Sequence, residues 1–454
     1  MVTCIYGIGF LVLGNLTGNA IALGNYVMDA AGHSPRRGPV IGIAFGALTL
    51  AVFLHVFSRR GGILINNAFA VLKILLLLMI IILGFLKAGG VRLSGELNAT
   101  DNFDLDQSFA TPRHDIASYS ESLSFITYAY SGFQQPFYVL TEVSQPRKIF
   151  PKYTLLSMLI ATTLFVLTNV AYFCAVPANL QGMHEQRNMA VVFFGCVFGN
   201  EVAKRVMSGV IAFSIFGNIL VGTFTASRVK QEIAKEGILP WSVEFATSRR
   251  TPLALLTRRR QPEGALLEQT PMAALGLHWL GSIFLLAVTS ILEPSIAYSF
   301  LVSLYSYTVI ILNGFFVSAG LLYLKLKPNR EWGFFSNFPG ETRSSPPKSS
   351  RLGLLYAGVY CVACAFMLIV AFVRPSDDSP FSYQTTKIQW YLIPTIGLSV
   401  PFWGVLWYLG IRLVEAKRHK ELVVHRDPTT IEDKQTPGQW ITSSEIITRQ
   451  WRVR

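Results

Sequence analysis

The stretch LINNAFAVLKILLLLMIIILGFL, residues 64–86, contains a single basic residue, Lys73, and no acidic residue. Its apolar residues cover every face of a helix instead of forming one stripe. At 1.5 Å per residue, a helix of this length crosses about 30 Å of hydrocarbon. The stretch therefore predicts a helix whose surroundings are as apolar as itself, which is a membrane-spanning helix.

The whole chain has the composition of this stretch. Of its 454 residues, 51% are apolar and 14% are charged, and the mean hydropathy is +0.43. Soluble domains carry about 25% charged residues. The net charge is +13, but the bases lie between apolar runs, so nucleic-acid binding is not expected. The five cysteines are odd in number and scattered, which is not a disulfide framework.

Ten apolar segments are long enough to span a membrane. They cover residues 2–28, 40–57, 64–86, 116–140, 153–176, 206–227, 272–292, 296–323, 352–373 and 390–413. The sequence thus predicts an all-α membrane protein with about ten transmembrane helices. We expect residues 1–413 to form one transmembrane domain and residues 414–454 to form a polar cytoplasmic tail.

The distribution of Lys and Arg predicts the orientation of the chain. Alternate loops are richer in these residues, and the segment after residue 413 lies on the same richer side. Because cytoplasmic loops accumulate positive charge, both termini are expected in the cytoplasm. The sequon Asn98-Ala99-Thr100 then falls on the outer side, where glycosylation is possible. We interpret the basic loops as a solvated surface facing membrane lipids.

The segment 116–140 departs from a plain lipid-facing helix. Gly132 and Pro136 lie close together, with Gln134 and Gln135 between them. Pro136 lacks a backbone donor and obstructs the carbonyl of Gly132, so the helix is predicted to break around residues 130–133. Secondary transporters build substrate sites from helices broken in this way. The alternative is an ordinary proline kink whose backbone groups are satisfied by neighbouring helices.

Two motifs identify a family resemblance. The first comprises FITYAYSGF (125–133), YVLTEV (138–143) and QPRKIFP (145–151), and the second comprises ASR (226–228) and EGILP (236–240). The first resembles the sixth helix and following loop of the amino acid-polyamine-organocation superfamily, and the second resembles the inner end of its eighth helix. The L-type branch and the fungal methionine permeases are most similar. The resemblance covers the chain from near residue 1 to about residue 413.

This resemblance implies a substrate site at the broken segment. In the family, the ammonium group of an amino acid contacts carbonyls of the sixth helix, and aromatic faces suit an apolar side chain. The implied substrate is a neutral or sulfur-containing, methionine-like amino acid. The alternative role of the aromatic residues is helix packing. The implied site residues are Phe125, Tyr128, Ala129, Tyr130, Ser131, Gly132 and Phe133.

Lys73 is the candidate coupling residue. It lies about ten residues from either end of its apolar segment, too deep for easy snorkelling to an interface, so burial in the helix bundle is expected. In proton-coupled members of the superfamily, a lysine on the corresponding fifth helix occupies the place of a sodium ion. The resemblance therefore implies a proton as the coupling ion. The alternative is a fixed charge paired with a neighbouring helix.

Ser214 and Asn218 lie on the segment that the resemblance equates with the eighth helix. Their oxygens could contact a cation, and the alternative is hydrogen bonding between helices. The sequence indicates no cofactor: it has no Walker A glycine loop, and its histidines have no metal-ligand spacing. Cys361-Val-Ala-Cys364 lies within an apolar helix, so we interpret it as packing and not as a redox motif.

The resemblance also reveals a departure from the family. If segment 116–140 is the sixth helix, the first two helices of the five-plus-five inverted-repeat fold are missing, including the Gly-rich break that holds the substrate carboxylate. We expect a truncated chain, and the alternative is a ten-helix variant. The resemblance implies proton-coupled secondary transport by alternating access in the plasma membrane, with no enzymatic activity. The alternative function is a non-transporting amino acid sensor or an inactive fragment.

Overall fold

The computed structural model describes residues 1–91, 101–104, 106, 115–142, 146–177, 180, 188–256, 269–326, 351–375, 388–432 and 440–453. The sequon at Asn98 and the basic run 258–260 lie outside these residues. The helices in the first half are α1 (Val2–Leu13), α2 (Thr17–Ala30), α3 (Arg37–Phe57), α4 (Arg59–Ala88), α5 (Ile116–Ala129), α6 (Pro146–Ala175), α7 (Met189–Phe198) and α8 (Glu201–Lys235).

The second half continues with further helices and four strands. The helices are α9 (Ser242–Ala246), α10 (Pro252–Leu256), α11 (Met272–Thr289), α12 (Pro294–Tyr305), α13 (Asn313–Leu326), α14 (Arg351–Val370) and α15 (Leu392–Arg418). The strands are β1 (Arg249–Arg250), β2 (Gln269–Thr270), β3 (Lys420–Glu432) and β4 (Trp440–Val453). Short 3-10 helices cover Asp101–Phe103 and Gln135–Glu142, and a π-helix covers Ser306–Leu312.

The architecture is that of an all-α membrane protein, as the sequence predicted. Within the described residues, nine helical segments are long and apolar enough to cross a membrane. The sequence predicted ten, and the segment that does not reach this length is 116–140. Its helix α5 ends at Ala129, and a turn separates it from the 3-10 helix that starts at Gln135. The short apolar helix α7 was not among the predicted segments.

The first predicted span consists of two helices with an interruption at residues 14–16. The Nδ2 of Asn15 donates to the carbonyl oxygens of Leu11, at 3.2 Å, and Val12, at 2.7 Å. The hydroxyl of Thr17 donates to the carbonyl of Ser282 at 2.9 Å. These side chains bond backbone carbonyls near the interruption, which allows an irregular turn between two apolar helices.

Two compact units can be distinguished in the chain. The first contains Met1–Arg113, Gly132–Leu301 and Gly404–Arg454. Helix α8 contributes to both hydrophobic cores of this unit. Ile219 and Leu220 pack with residues of α2 and α3, whereas Met207 packs with residues of α6 and α7. Helix α8 is therefore the element around which the first unit is built.

The second unit contains His114–Ser131 and Val302–Trp403. Its core includes Ile311 of the π-helix with Cys364 and Met367 of α14. The hydroxyl of Tyr307 donates to the carbonyl of Leu368 at 3.3 Å. Cys361 and Cys364 are free thiols, and Cys364 is a core residue, which agrees with the packing interpretation.

The residues after helix α15, for which the sequence predicted only a polar tail, form a β-hairpin. Strands β3 and β4 pair antiparallel from Lys420 opposite Val453 to Glu432 opposite Trp440. The hairpin contacts the segment after α8, where Arg449 Nη1 donates to the carbonyl of Leu239 at 3.2 Å. Helix α15 continues to Arg418 before the hairpin begins.

Close contact between α1 and α15 depends on Gly404. A Cβ at this position would lie 2.2 Å from Ile5 Cα and 2.7 Å from the carbonyl oxygen of Cys4. Both are backbone atoms, so the helices would have to separate. We predict that Gly404→Ala destabilises the protein by roughly 1–3 kcal/mol, measured as a lower midpoint of thermal unfolding in detergent.

Gly410 on the same helix provides the matched control. A Cβ at Gly410 meets no atom within 4 Å, and alanine favours a helix over glycine. Gly410→Ala should therefore leave the unfolding midpoint unchanged or raise it. Equal midpoints for the two variants would contradict the observed packing of α1 on α15.

Candidate functional site

Helix α5 begins with a capped N-terminus. The carboxylate of Asp115 accepts hydrogen bonds from the backbone N–H of Ala117, at 3.1 Å, and from the hydroxyl of Ser118, at 2.8 Å. Asp is a preferred N-cap residue because it satisfies backbone donors that the first turn leaves without partners. This cap stabilises the start of the helix at Ile116.

The helix ends at the predicted place. Its last turns close with Tyr130 N–H donating to the carbonyl of Ile126, at 3.2 Å, and Ser131 N–H donating to the carbonyl of Tyr128, at 2.8 Å. Gly132 then adopts a φ of +110°, a conformation that disfavours residues with a Cβ. The helix break expected from Gly132 and Pro136 is therefore present.

The side chain of Gln134 and the backbone of Gln135 support the turn after the break. Gly132 N–H donates to Oε1 of Gln134 at 3.1 Å, and Gln135 N–H donates to the carbonyl of Gly132 at 3.0 Å. The 3-10 helix starts at Gln135 and contains Pro136. The side-chain amide of Gln134 thus supplies an acceptor for the N–H of Gly132, which has no helical partner after the break. Irregular backbone in an apolar environment requires such a partner.

The seven predicted substrate residues follow one another along this break. Phe125, Tyr128 and Ala129 lie on the last turns of α5, and Tyr130 and Ser131 follow in the turn. All five belong to the second unit, whereas Gly132 and Phe133 belong to the first. The rings of Phe125, Tyr128 and Tyr130 are half-buried, and Phe133 is 40% exposed.

Lys73 and Asn218, which were predicted separately, are in contact. The Nζ of Lys73 on α4 donates to Oδ1 of Asn218 on α8. The helices approach closely beside this contact, where a Cβ at Gly217, the residue before Asn218, would lie 2.6 Å from the ring of Phe69. Ser214 lies one turn before Asn218 on α8. The contact agrees with the alternative of interhelical hydrogen bonding for Asn218.

The structure also contains a buried cluster around Lys230 that was not predicted from the sequence. Lys230 on α8 is fully buried, and its Nζ lies 2.6 Å from Oδ1 of Asn15 and 3.1 Å from Nδ1 of His278 on α11. His278 is 1% exposed. The interruption between α1 and α2 positions Asn15 here, because its Nδ2 is held by carbonyls of α1.

The charge density around Lys230 explains why it was missed. Arg228, Glu232 and Lys235 are its neighbours in sequence, so the segment resembles a solvated helix end. A helical-period signal was nevertheless present. Thr223, Ser227, Lys230 and Ala234 recur at spacings of three and four residues, and all four are at most 1% exposed.

These features define a multi-pass membrane protein with a helix broken between apolar segments, which is the construction that secondary transporters use for substrate sites. A family model described as amino acid permease matches residues 1–399. The chain therefore belongs to the amino acid permease family of the amino acid-polyamine-organocation superfamily. Members of this family are transporters and not enzymes.

The chain is similar to transporters from yeast and mammals. It is 25% identical to the high-affinity methionine permease of Saccharomyces cerevisiae over 416 residues, which cover 91% of this chain and 64% of the relative. It is 28% identical to the low-affinity methionine permease of that yeast, over 51% of this chain and 41% of the relative.

The human large neutral amino acids transporter small subunit 2 is 25% identical over 395 residues, which cover 86% of this chain and 62% of the relative. The chain thus spans less than two thirds of the length of each of these relatives.

We predict an energetic coupling between Lys73 and Asn218. In a double-mutant cycle with Lys73→Met and Asn218→Ala, the effects should be non-additive by roughly 0.5–2 kcal/mol, because either substitution alone removes the same hydrogen bond. The free energy of unfolding of the four proteins would be measured in mixed detergent micelles. Ser214→Ala is the control, and its effect should add to that of Lys73→Met within about 0.5 kcal/mol. Additive effects for Lys73 and Asn218 would argue against the contact.

Proposed function

We propose that this chain transports neutral amino acids of the methionine type across a membrane by alternating access. The observation that carries the proposal is the broken helix at residues 130–134 in a member of the amino acid permease family. The yeast relatives are named methionine permeases, and the human relative is named for large neutral amino acids. These names favour transport over the alternative of a sensor.

The chemistry of the break suits an amino acid. The C-terminal end of α5 carries the negative end of the helix dipole, and its last carbonyls point along the helix axis. A substrate ammonium is attracted to such an end. The aromatic rings of Phe125, Tyr128 and Tyr130 lie on the last turns and the turn that follows, and their faces suit an apolar or thioether side chain.

We assign proton coupling to Lys73. Its ammonium donates to Asn218 and so connects α4 to α8. An amide oxygen accepts from the protonated amine, and loss of the proton removes the charge from this contact. Protonation would then change how strongly the two helices are held together, which is the kind of two-state element that coupling requires.

We further propose a plasma-membrane location with both termini in the cytoplasm. This orientation follows from the excess of Lys and Arg in alternate loops and in the segment after residue 413. The same basic loops would lie against the anionic inner leaflet, so membrane lipids are expected partners.

Uptake by proteoliposomes tests the proposed transport. The purified chain should accumulate labelled methionine when the outside is more acidic than the inside. Gly132→Leu is expected to reduce the initial rate at least roughly tenfold, since a leucine at φ +110° strains the break and disturbs the site. Lys73→Ala should abolish the stimulation by the pH gradient. Gly410→Ala serves as the control with unchanged uptake.

One result would overturn the mechanism directly. If substrate-dependent proton movement persists in both Gly132→Leu and Lys73→Ala, then neither the break nor the lysine carries the function assigned to it. Loss of uptake in the control variant would instead indicate a general sensitivity of the fold.

Competition experiments test the substrate class. An excess of unlabelled methionine or leucine should lower labelled methionine uptake at least roughly fivefold, whereas lysine should lower it by less than about twofold. The expected difference arises because aromatic faces around the break favour apolar side chains over a second ammonium that keeps its hydration. Equal competition by lysine would show that the site does not select for apolar side chains.

A further inference from the structure

The buried cluster of Lys230 and His278 is distinct from the contact between Lys73 and Asn218. Lys230 has two polar neighbours, Asn15 Oδ1 at 2.6 Å and His278 Nδ1 at 3.1 Å. The amide of Asn15 is oriented by its own bonds to Leu11 and Val12, so that Oδ1 is left as the acceptor. The three side chains come from the α1–α2 interruption, α8 and α11.

Geometry allows a single proton between Lys230 and His278. A hydrogen bond across 3.1 Å joins Nζ and Nδ1, and one of these two nitrogens must accept. Either an ammonium donates to an imidazole lone pair, or a protonated Nδ1 donates to a neutral amine. An ammonium next to an imidazolium would place two protons and two positive charges at this contact, which the buried site opposes.

No carboxylate in the described part of the chain forms an ion pair with Lys230. The carboxylates near this end of α8 have other partners: Glu232 pairs with Lys235 at 2.7 Å, Glu236 pairs with Arg426, and Glu244 pairs with Arg249 at 2.8 Å. Burial of an ammonium without a carboxylate beside it is costly. The cluster is therefore able to lose its proton as well as to hold it.

His55 on α3 is the other histidine close enough to affect His278. Its Nε2 donates to the carbonyl of Leu220 at 2.9 Å, because a carbonyl can only accept. Helix α3 packs against α11, which carries His278. Among the described side chains, the other titratable groups on elements packed against α8 are those of Cys4, Tyr6, Tyr26, Asp29, Arg37, Arg59, Arg60, Lys73, Lys87, Tyr138, Cys196 and Glu244.

That set contains two acidic residues, and one of them, Glu244, pairs with Arg249. Asp29 accepts from the hydroxyl of Ser208, which lies near the opposite end of α8 from Lys230. On α8 itself, Arg228 bonds Gln231 and faces the ring of Phe224. Lys230, His278 and Asn15 therefore form a cluster of two bases and a neutral amide.

We infer that Lys230, His278 and Asn15 form a second proton-binding site, which holds one proton shared between Nζ and Nδ1. In the filled state, Nζ carries the proton and donates to both Asn15 and His278. Transfer moves the proton to Nδ1 and leaves Lys230 as a neutral amine. Release to water then leaves both bases neutral. That this proton is moved during transport rests on the proposed function, whereas proton binding at the site does not.

The occupancy of this site is linked to the position of α1 and α2. With its proton in place, Lys230 connects the interruption at Asn15 to α8, and His278 connects α8 to α11. An uncharged amine forms a weaker bond with the amide oxygen than an ammonium does. Loss of the proton should thus loosen the contact between the first span and α8.

Solid-state NMR of the chain in lipid bilayers tests proton binding directly. The protein is labelled with ¹⁵N in the side chains of lysine and histidine, and His278→Gln and Lys230→Met identify the two resonances by their absence. Between pH 5 and pH 9, we expect the pair to change by one proton and never to show ammonium and imidazolium together. In Lys230→Met, the Nδ1 resonance of His278 should lose its hydrogen-bond shift.

Lys235→Met is the matched control, because Lys235 lies on the same helix but pairs with Glu232. It should leave both resonances unchanged. The site is refuted if Lys230 remains an ammonium throughout this pH range, or if His278 becomes an imidazolium while Lys230 is still an ammonium. Both results are obtained from the pH titration of the unmodified protein, and the two substitutions serve only to assign the resonances.

Methionine uptake provides the second measurement. If the shared proton is moved during transport, then Lys230→Met should remove the dependence of uptake on internal pH, and Lys235→Met should retain it. A protein that shows the NMR behaviour but no uptake would contradict the proposed transport function and leave the proton site standing. If Lys230→Met retains the normal pH dependence of uptake, then the site binds a proton but does not move it during transport.

Discussion

Backbone groups in an apolar environment must find partners within the protein, and this constraint shapes both interruptions in the chain. At residues 14–16, Asn15 supplies an amide that bonds the last carbonyls of α1. At residues 130–134, the side chain of Gln134 accepts from the N–H of Gly132. Each interruption is thus accompanied by a polar side chain from its own immediate sequence. The broken helix proposed for substrate binding is one consequence of this constraint, and the position of Asn15 beside Lys230 is another.

Lys73, which is half-buried, and Lys230, which is fully buried, share a pattern. Lys73 donates to the amide of Asn218, and Lys230 donates to the amide of Asn15. In each case the acceptor is neutral, so the ammonium is bonded but not charge-compensated. A carboxylate partner would form a fixed ion pair with the ammonium. Loss of a proton from the lysine would then leave the carboxylate as an uncompensated anion. An amide partner permits both protonation states, and this property connects the structure to the proposed coupling between protons and transport.

Several features followed from local sequence. Gly132 and Pro136 predicted the break because the missing donor of Pro136 and its obstruction of the Gly132 carbonyl act within a few residues. The apolar runs predicted the membrane-spanning helices because hydrophobicity and length are properties of a single segment. The interruption at Asn15 was missed because residues 2–28 as a whole are apolar and long enough for one membrane-spanning helix. The hairpin of β3 and β4 was missed because the segment after residue 413 was interpreted as a polar tail. Lys230 was missed because the charged residues beside it made the segment resemble a solvated helix end. The assignment of Phe125 to Phe133 to substrate binding stays a prediction.

Composition and segment length by themselves determined that this is a membrane protein of many helices, because the transfer of apolar surface depends on residue type and number and not on neighbours. Local chemistry determined where one of those helices breaks. Only the tertiary structure decided which polar side chains meet. Lys73 contacts a residue 145 positions away, and Lys230 contacts residues 215 and 48 positions away. Such contacts depend on which helix faces pack together and on close approach at small residues such as Gly217, and neither is written in any single segment.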